Sequence, residues 1–182
     1  MRDSVDPPAP DKPRERAALD ALHDLASALH AEDATDSEID AALNAVRQVP
    51  IDLDRMLNSI YVPEDAGEYE DLLRSLLLRI PDGWGRWIGH GPGWYPILAR
   101  LDEKLRSLDP DYEIHQIKEK YGTLRVYWTG KNYDIGEQAV EEAEAESART
   151  CELCGEPGRI VERHSWLRTL CPACSTSGSH IR

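Results

Sequence analysis

The chain has 182 residues, 41% of them hydrophobic, which is enough for one globular domain with a small appended module. It carries 34 acidic and 21 basic residues, for a net charge of −13. Proteins that bind nucleic acid usually present a basic patch, so this balance disfavours that class. No segment approaches the roughly 18 apolar residues of a membrane span, and the first residues lack the apolar core of a secretory signal. We therefore expect a cytoplasmic protein without a membrane segment.

The N-terminal part of the chain predicts a tail followed by helices. Residues 1–14 are rich in proline and charge and are expected to be disordered. Residues 15–80 show helical spacing in four segments, the second of which Asp36 or Ser37 can cap. The first segment carries an apolar stripe that is expected to face inward: Ala18, Leu19, Leu22, Leu25, Ala26 and Leu29.

A glycine- and tryptophan-rich segment opens the next region, which we delimit as residues 81–149. Three tryptophans and five glycines fall within residues 81–96, without the Gly-Lys-Ser/Thr ending of a phosphate-binding loop. We expect Trp84, Trp87 and Trp94 to pack inward while the glycines let the chain turn. The alternative is an exposed aromatic surface that contacts a partner.

An α+β core follows this segment. Leucines at helical spacing after Pro96 predict a helix, residues 112–117 and 123–129 predict a β-hairpin, and residues 135–149 predict an Ala- and Glu-rich helix with a solvated acidic face. The hairpin carries three basic residues: Lys118, Lys120 and Arg125. They predict either a solvated face paired to nearby glutamates or a contact with an anion or nucleic acid.

The four cysteines of the chain form two C-x2-C pairs: Cys151, Cys154, Cys171 and Cys174. The 16 residues between the pairs fall within the spacing of a four-thiolate zinc site, and they can form two short strands joined near His164. Four thiolates close the coordination sphere, which favours structural over catalytic zinc. His164 and His180 are not needed as ligands, and a pair of disulfides is the disfavoured alternative in a reducing compartment. We thus predict a zinc ribbon over residues 150–175 and a flexible tail over 176–182.

Several of these motifs occur together in one order. They are Gly93-Trp-Tyr-Pro-Ile-Leu, Gln116-Ile-Lys-Glu-Lys-Tyr-Gly-Thr-Leu-Arg-Val-Tyr127, Ala148-Arg-Thr-Cys-Glu-Leu-Cys-Gly155 and Leu167-Arg-Thr-Leu-Cys171. In this the chain resembles a family of small, uncharacterised bacterial and phage proteins with a GW-helix, a KEK-aromatic-G-x-LR-aromatic hairpin and a C-terminal zinc ribbon. The resemblance covers residues 81–174. It implies the zinc module but no catalytic residues and no substrate.

The functional hypotheses follow from the acidic charge of the chain and from the lack of a catalytic motif. His90 and His115 are the candidate acid–base residues, but no nucleophile–base pair stands beside either in sequence, so we do not predict an enzyme. Residues 1–93 carry 9 basic and 19 acidic residues, which suits docking to a basic partner. We expect a zinc-stabilised acidic binding protein, such as an immunity protein or antitoxin that inhibits a basic toxin. The alternative is a nucleic-acid-binding or regulatory zinc-ribbon protein, and the oligomeric state stays open.

Overall fold

A computed structural model describes residues 7–31, 34–163 and 166–176. The chain divides into two compact units, residues 1–59 and 60–182. This division differs from the predicted boundary after residue 80, because the helix before that point packs into the core of the second unit. The predicted α+β class is confirmed. No helix among the described residues is long and apolar enough to span a membrane.

The first unit is helical, and its helices start at side-chain caps. Asp11 caps α1 (Lys12–His30), Thr35 caps α2 (Asp36–Gln48), and Asp52 caps α3 (Leu53–Asn58). Thr35, rather than the predicted Asp36 or Ser37, is the N-cap of α2 because it forms a reciprocal capping box with Glu38. Helix α1 starts at residue 12, inside the tail predicted over residues 1–14, and residues 1–6 lie outside the described part.

The predicted apolar stripe of α1 is only partly buried. Ala18 and Ala21 are buried, whereas Leu19, Leu22 and Leu29 are exposed. Helix α1 packs against α2, so the small alanines rather than the leucines of the stripe lie inside this unit.

The second unit is built on a four-stranded sheet in the order β1-β2-β3-β4. The strands are β1 (Ile60–Tyr61), β2 (Arg86–Gly89), β3 (Glu113–Lys120) and β4 (Thr123–Thr129). The first three are parallel, and β3–β4 is the predicted antiparallel hairpin. Strands β1 and β2 were not predicted, because each is too short to show a period of two.

Helices connect the parallel strands and cover one face of the sheet. Helix α4 (Glu70–Leu78), preceded by a 3-10 turn, links β1 to β2, and α5 (Tyr95–Leu108) links β2 to β3, as parallel strands require. Helix α6 (Tyr133–Ser147) packs against β4 and α5. The buried core lies between these helices and the sheet, and its largest fully buried side chains include Trp94, Tyr95, Tyr112, Leu73, Leu77, Ile117 and Leu124.

The C-terminal segment forms the two predicted strands. Strands β5 (Arg159–Arg163) and β6 (Trp166–Leu170) pair antiparallel, and the short helix α7 (Pro172–Thr176) follows. Helix α7 ends at the first residue of the predicted flexible tail, residues 176–182, and residues 177–182 lie outside the described part. His164, named as the point where the strands join, also lies outside it.

Candidate metal centre

The four cysteines lie together, as their spacing predicted. Their sulfurs are all within 4.8 Å of one another, and Cys154 Sγ lies 3.6 Å from the sulfurs of both Cys171 and Cys174. These distances exclude a disulfide between those sulfurs, in which two sulfurs lie about 2.05 Å apart. Four sulfurs placed about 2.3 Å from a tetrahedral metal lie about 3.8 Å from one another. The cluster therefore has the dimensions of a tetrahedral thiolate site and can hold a metal ion.

Backbone hydrogen bonds shape the first knuckle. The Cys151 amide donates to the Glu156 carbonyl at 2.7 Å, and the Gly155 amide donates to the Cys151 carbonyl at 2.9 Å. Gly155 has a φ of +80°, a conformation that glycine adopts without steric cost. The turn thereby brings Cys151 and Cys154 to the same side of the chain.

The second knuckle is the start of α7. The Ser175 amide donates to the Cys171 carbonyl at 2.9 Å, and the Cys174 amide lies 3.4 Å from Cys171 Sγ. Pro172 begins the helix, where its missing N–H costs nothing. One helical turn thus places Cys174 beside Cys171.

The thiols differ in their tendency to ionise. Burial opposes ionisation of Cys151, but backbone hydrogen bonds from Cys171, Cys154 and Leu153 outweigh it and lower its pKa to about 7. Burial and the neighbouring thiols raise the pKa of Cys174. Without a cation the cluster thus resists holding four thiolates at once, whereas a bound divalent cation stabilises all of them.

The cluster is held against the core through Glu152, a buried residue that the sequence analysis did not single out. Its carboxylate accepts from the Gly91 amide at 3.1 Å and from Nε of Arg168 at 2.9 Å. Its backbone carbonyl accepts from the Gly93 amide at 2.8 Å, and its amide donates to the Thr169 carbonyl at 2.9 Å. One residue of the first knuckle therefore binds both the glycine-rich segment and β6.

Two further bonds join the metal centre to the core. Trp94 Nε1 donates to the Thr150 carbonyl at 2.7 Å, and Thr169 Oγ1 donates to the Gly122 carbonyl at the β3–β4 turn at 2.5 Å. Gly93 lies so close to the knuckle that a Cβ there would come under 3.0 Å from backbone atoms of Cys151 and Gly155. The knuckle thus packs directly on the glycine-rich segment.

Of the other predicted site residues, Trp94 borders the metal centre through its bond to the Thr150 carbonyl. Trp94 is fully buried, as expected, but the expectation of inward packing is wrong for Trp84 and Trp87, which are 57% and 40% exposed. Lys118 and Lys120 belong to β3, and each ammonium lies over a tyrosine ring. Arg125 on β4 pairs with Glu144 of α6 at 3.2 Å.

On the predicted solvated face of α6, several glutamates have partners within the protein. Besides Glu144, Glu146 pairs with Arg100 at 2.5 Å, and Glu137 accepts from Trp128 Nε1 at 3.2 Å. Glu141 and Glu142 remain exposed.

The two candidate acid–base histidines are held by aromatic neighbours. His90 Nδ1 lies 2.8 Å from the Gly91 carbonyl, its ring contacts Trp94, and burial lowers its pKa to about 4. His115 lies under Trp84, with ring centroids 4.9 Å apart. In the described part of the chain neither ring makes a hydrogen bond to a carboxylate.

Comparison with known protein families, with curated proteins and with solved structures found no match. The resemblance drawn from the motifs stays a prediction.

Proposed function

We propose that this chain is a cytoplasmic, non-catalytic binding protein that zinc stabilises and that docks a basic partner protein through its acidic surface, as an immunity protein or antitoxin does. Zinc is the metal that four thiolates in tetrahedral arrangement favour, since it prefers sulfur and nitrogen ligands. Four protein ligands leave no open position for water or substrate, so the metal is structural.

The charge distribution is the observation that carries the proposed partner class. Residues 1–59 carry 13 acidic and 6 basic side chains, and residues 60–182 carry 21 and 15. In the first unit, the exposed carboxylates include Asp20, Asp24 and Asp40 on α1 and α2. A surface of this sign attracts a basic protein and speeds its association.

The test is capture of a partner by the zinc-loaded chain from a lysate of its host, at low and at high salt, followed by reconstitution with the purified partner. We expect one basic protein, bound in equimolar amount and released at high salt. The variant Asp20→Asn/Asp24→Asn/Asp40→Asn should lose most of this binding. A control with three exposed basic residues neutralised, namely Arg47→Gln, Arg74→Gln and Lys104→Gln, should retain it. Equal binding by both variants would contradict the proposal.

A second function, nucleic-acid binding, has a specific observation in its favour. Lys118 and Lys120 form no ion pair with any carboxylate of the described residues, although the chain has an excess of acids. Each lies over an aromatic ring instead, 5.6 Å and 5.3 Å from the ring centroids of Tyr127 and Tyr121. Two uncompensated lysines on one hairpin suit contact with phosphates.

A further inference from the structure

One face of the four-stranded sheet packs on the helices, and the opposite face carries aromatic side chains. We call this opposite face the outer face, defined by Tyr61, Trp84, Trp87, Gln116, Lys118 and Tyr127. The register pairs Tyr61 with Trp87 and Gln116 with Tyr127. Because Ile88 pairs with Ile117 in the parallel strands β2 and β3, the preceding residues Trp87 and Gln116 are also neighbours. The backbone positions of Trp87 and Tyr127 thus lie in one row, about 10 Å apart, since neighbouring strands lie about 4.8 Å apart.

These rings are exposed but held in place. Trp87 is 40% exposed and Tyr127 44% exposed. The Trp87 ring lies against Gly85, where an added Cβ would overlap it, and its edge meets the Tyr61 ring at a centroid distance of 6.4 Å. The Trp84 ring contacts the His115 ring of the same face at a tilt of 48°. Aromatic groups that are fixed before binding lose little conformational entropy when a flat ligand stacks on them.

Positive charge lies beside the aromatic row. The next row of the sheet is Gly89, Lys118 and Arg125. Lys118 lies over the Tyr127 ring, whereas Arg125 forms an ion pair with Glu144. Gly89 adds no side chain to this row, which lets a ligand approach the strand closely. The face therefore combines planar stacking surfaces with an uncompensated ammonium group.

From this arrangement we infer that the outer face binds single-stranded nucleic acid, with bases stacked on Trp87 and Tyr127 and phosphates near Lys118 and Lys120. This inference rests on the second function proposed above and names its ligand and its site. Stacking needs unpaired bases, because the faces of bases in a duplex are covered by their neighbours. The lysines favour a polyanion over an apolar peptide as the ligand. The aromatic rings favour a ligand that carries bases over one that carries only phosphates.

The experiment is fluorescence anisotropy of the full, zinc-loaded chain with labelled dT12, labelled rU12 and a labelled 12-base-pair duplex. We expect binding to the single strands and at least tenfold weaker binding to the duplex. Because two lysines contact phosphates, the logarithm of the binding constant should fall with the logarithm of salt with a slope of about −1.4. Lys118→Gln should reduce this slope by about 0.7.

Variants of the aromatic row test the site itself. Trp87→Ala and Tyr127→Ala should each weaken single-strand binding by about 5- to 150-fold, the loss expected for one stacked base. Tyr133→Ala is the matched control, since Tyr133 is exposed but stacks on Trp128, whose side chain lies in the core on the helix side of the sheet. It should leave binding unchanged, and thermal melting verifies that each variant is folded.

The outcomes separate this inference from the function on which it rests. Equal binding of duplex and single strands, or single-strand binding that survives both aromatic substitutions in folded variants, would overturn the outer-face site but leave nucleic-acid binding in place. No binding to any of the three probes at 50 mM salt would overturn both.

Discussion

Gly93→Ala tests how the metal centre is joined to the core. Gly93 has no positive φ, so its backbone accepts alanine without strain, and only space opposes the substitution. A Cβ would lie under 3.0 Å from Cys151 O, Gly155 N and a backbone carbon of Glu152. All three are backbone atoms of the first knuckle, which cannot turn aside as a side chain can. The knuckle as a whole has to move.

The expected cost has two parts. Overpacking of this kind costs about 1–3 kcal/mol, and separation of the Gly93 amide from the Glu152 carbonyl, now 2.8 Å apart, costs about 0.5–1.5 kcal/mol more. The free energy of unfolding should therefore fall by about 1.5–4.5 kcal/mol. Metal release frees the knuckle to move away from the added Cβ, so zinc affinity should fall by about 10- to 1,000-fold, since 1.4 kcal/mol corresponds to a factor of ten.

The assay combines urea unfolding of the zinc-loaded protein with zinc competition against a chelator. Gly83→Ala is the control, because a Cβ at Gly83 would meet no atom within 4 Å, while the φ of +85° strains alanine. This strain should lower stability by about 1–2 kcal/mol and leave zinc affinity unchanged. A Gly93→Ala protein with the stability and zinc affinity of the parent chain would show that the knuckle does not pack on this segment.

Three further predictions address the metal, a buried hydrogen bond and pH. In metal analysis we expect one zinc per parent chain and none in Cys171→Ser, whose ribbon strands should unfold by circular dichroism; zinc retained by the variant would refute the ligand set. Ser147→Ala should lower the free energy of unfolding in urea by about 1–3 kcal/mol, because the Leu124 amide loses its acceptor at 2.8 Å; an unchanged midpoint would contradict this. His90 has a folded-state pKa of about 4, below its unfolded value of 6.5, so the unfolded state binds the extra proton between these values. Stability should thus fall as pH drops from 6.5 to 4, by at most about 1.4 kcal/mol per pH unit. His90→Gln should show a shallower fall. Equal slopes of stability against pH in the parent and the variant would refute the burial of His90.

Local patterns in the sequence carried much of this structure. The C-x2-C spacing identified all four clustered cysteines, because a knuckle is closed by residues only a few positions apart. Alternation along residues 123–129 identified β4, and leucine spacing identified α5, because each element shows one face to a single core. In these cases the sequence pattern and the local geometry that produces it lie within one structural element.

Other features depended on contacts between distant segments. Residues 60–61 and 86–89 become strands only because β3 gives β2 a partner and β2 in turn pairs with β1. The three tryptophans of the glycine-rich segment look alike in sequence, yet Trp94 faces the core and the knuckle, whereas Trp87 stands on the outer face of the sheet.

Glu152 is a residue of the metal site whose position also depends on contacts between distant segments. Its place in the first C-x2-C pair carries no signal of burial, yet its carboxylate accepts from Gly91 and Arg168, 61 residues before it and 16 after it. A buried carboxylate is stable only where donors surround it, and those donors come together only when the ribbon packs on the core. The cysteine spacing by itself thus determined which residues can bind a metal, whereas the tertiary structure decided what the metal centre holds in place, because burial and pairing are properties of the assembled chain.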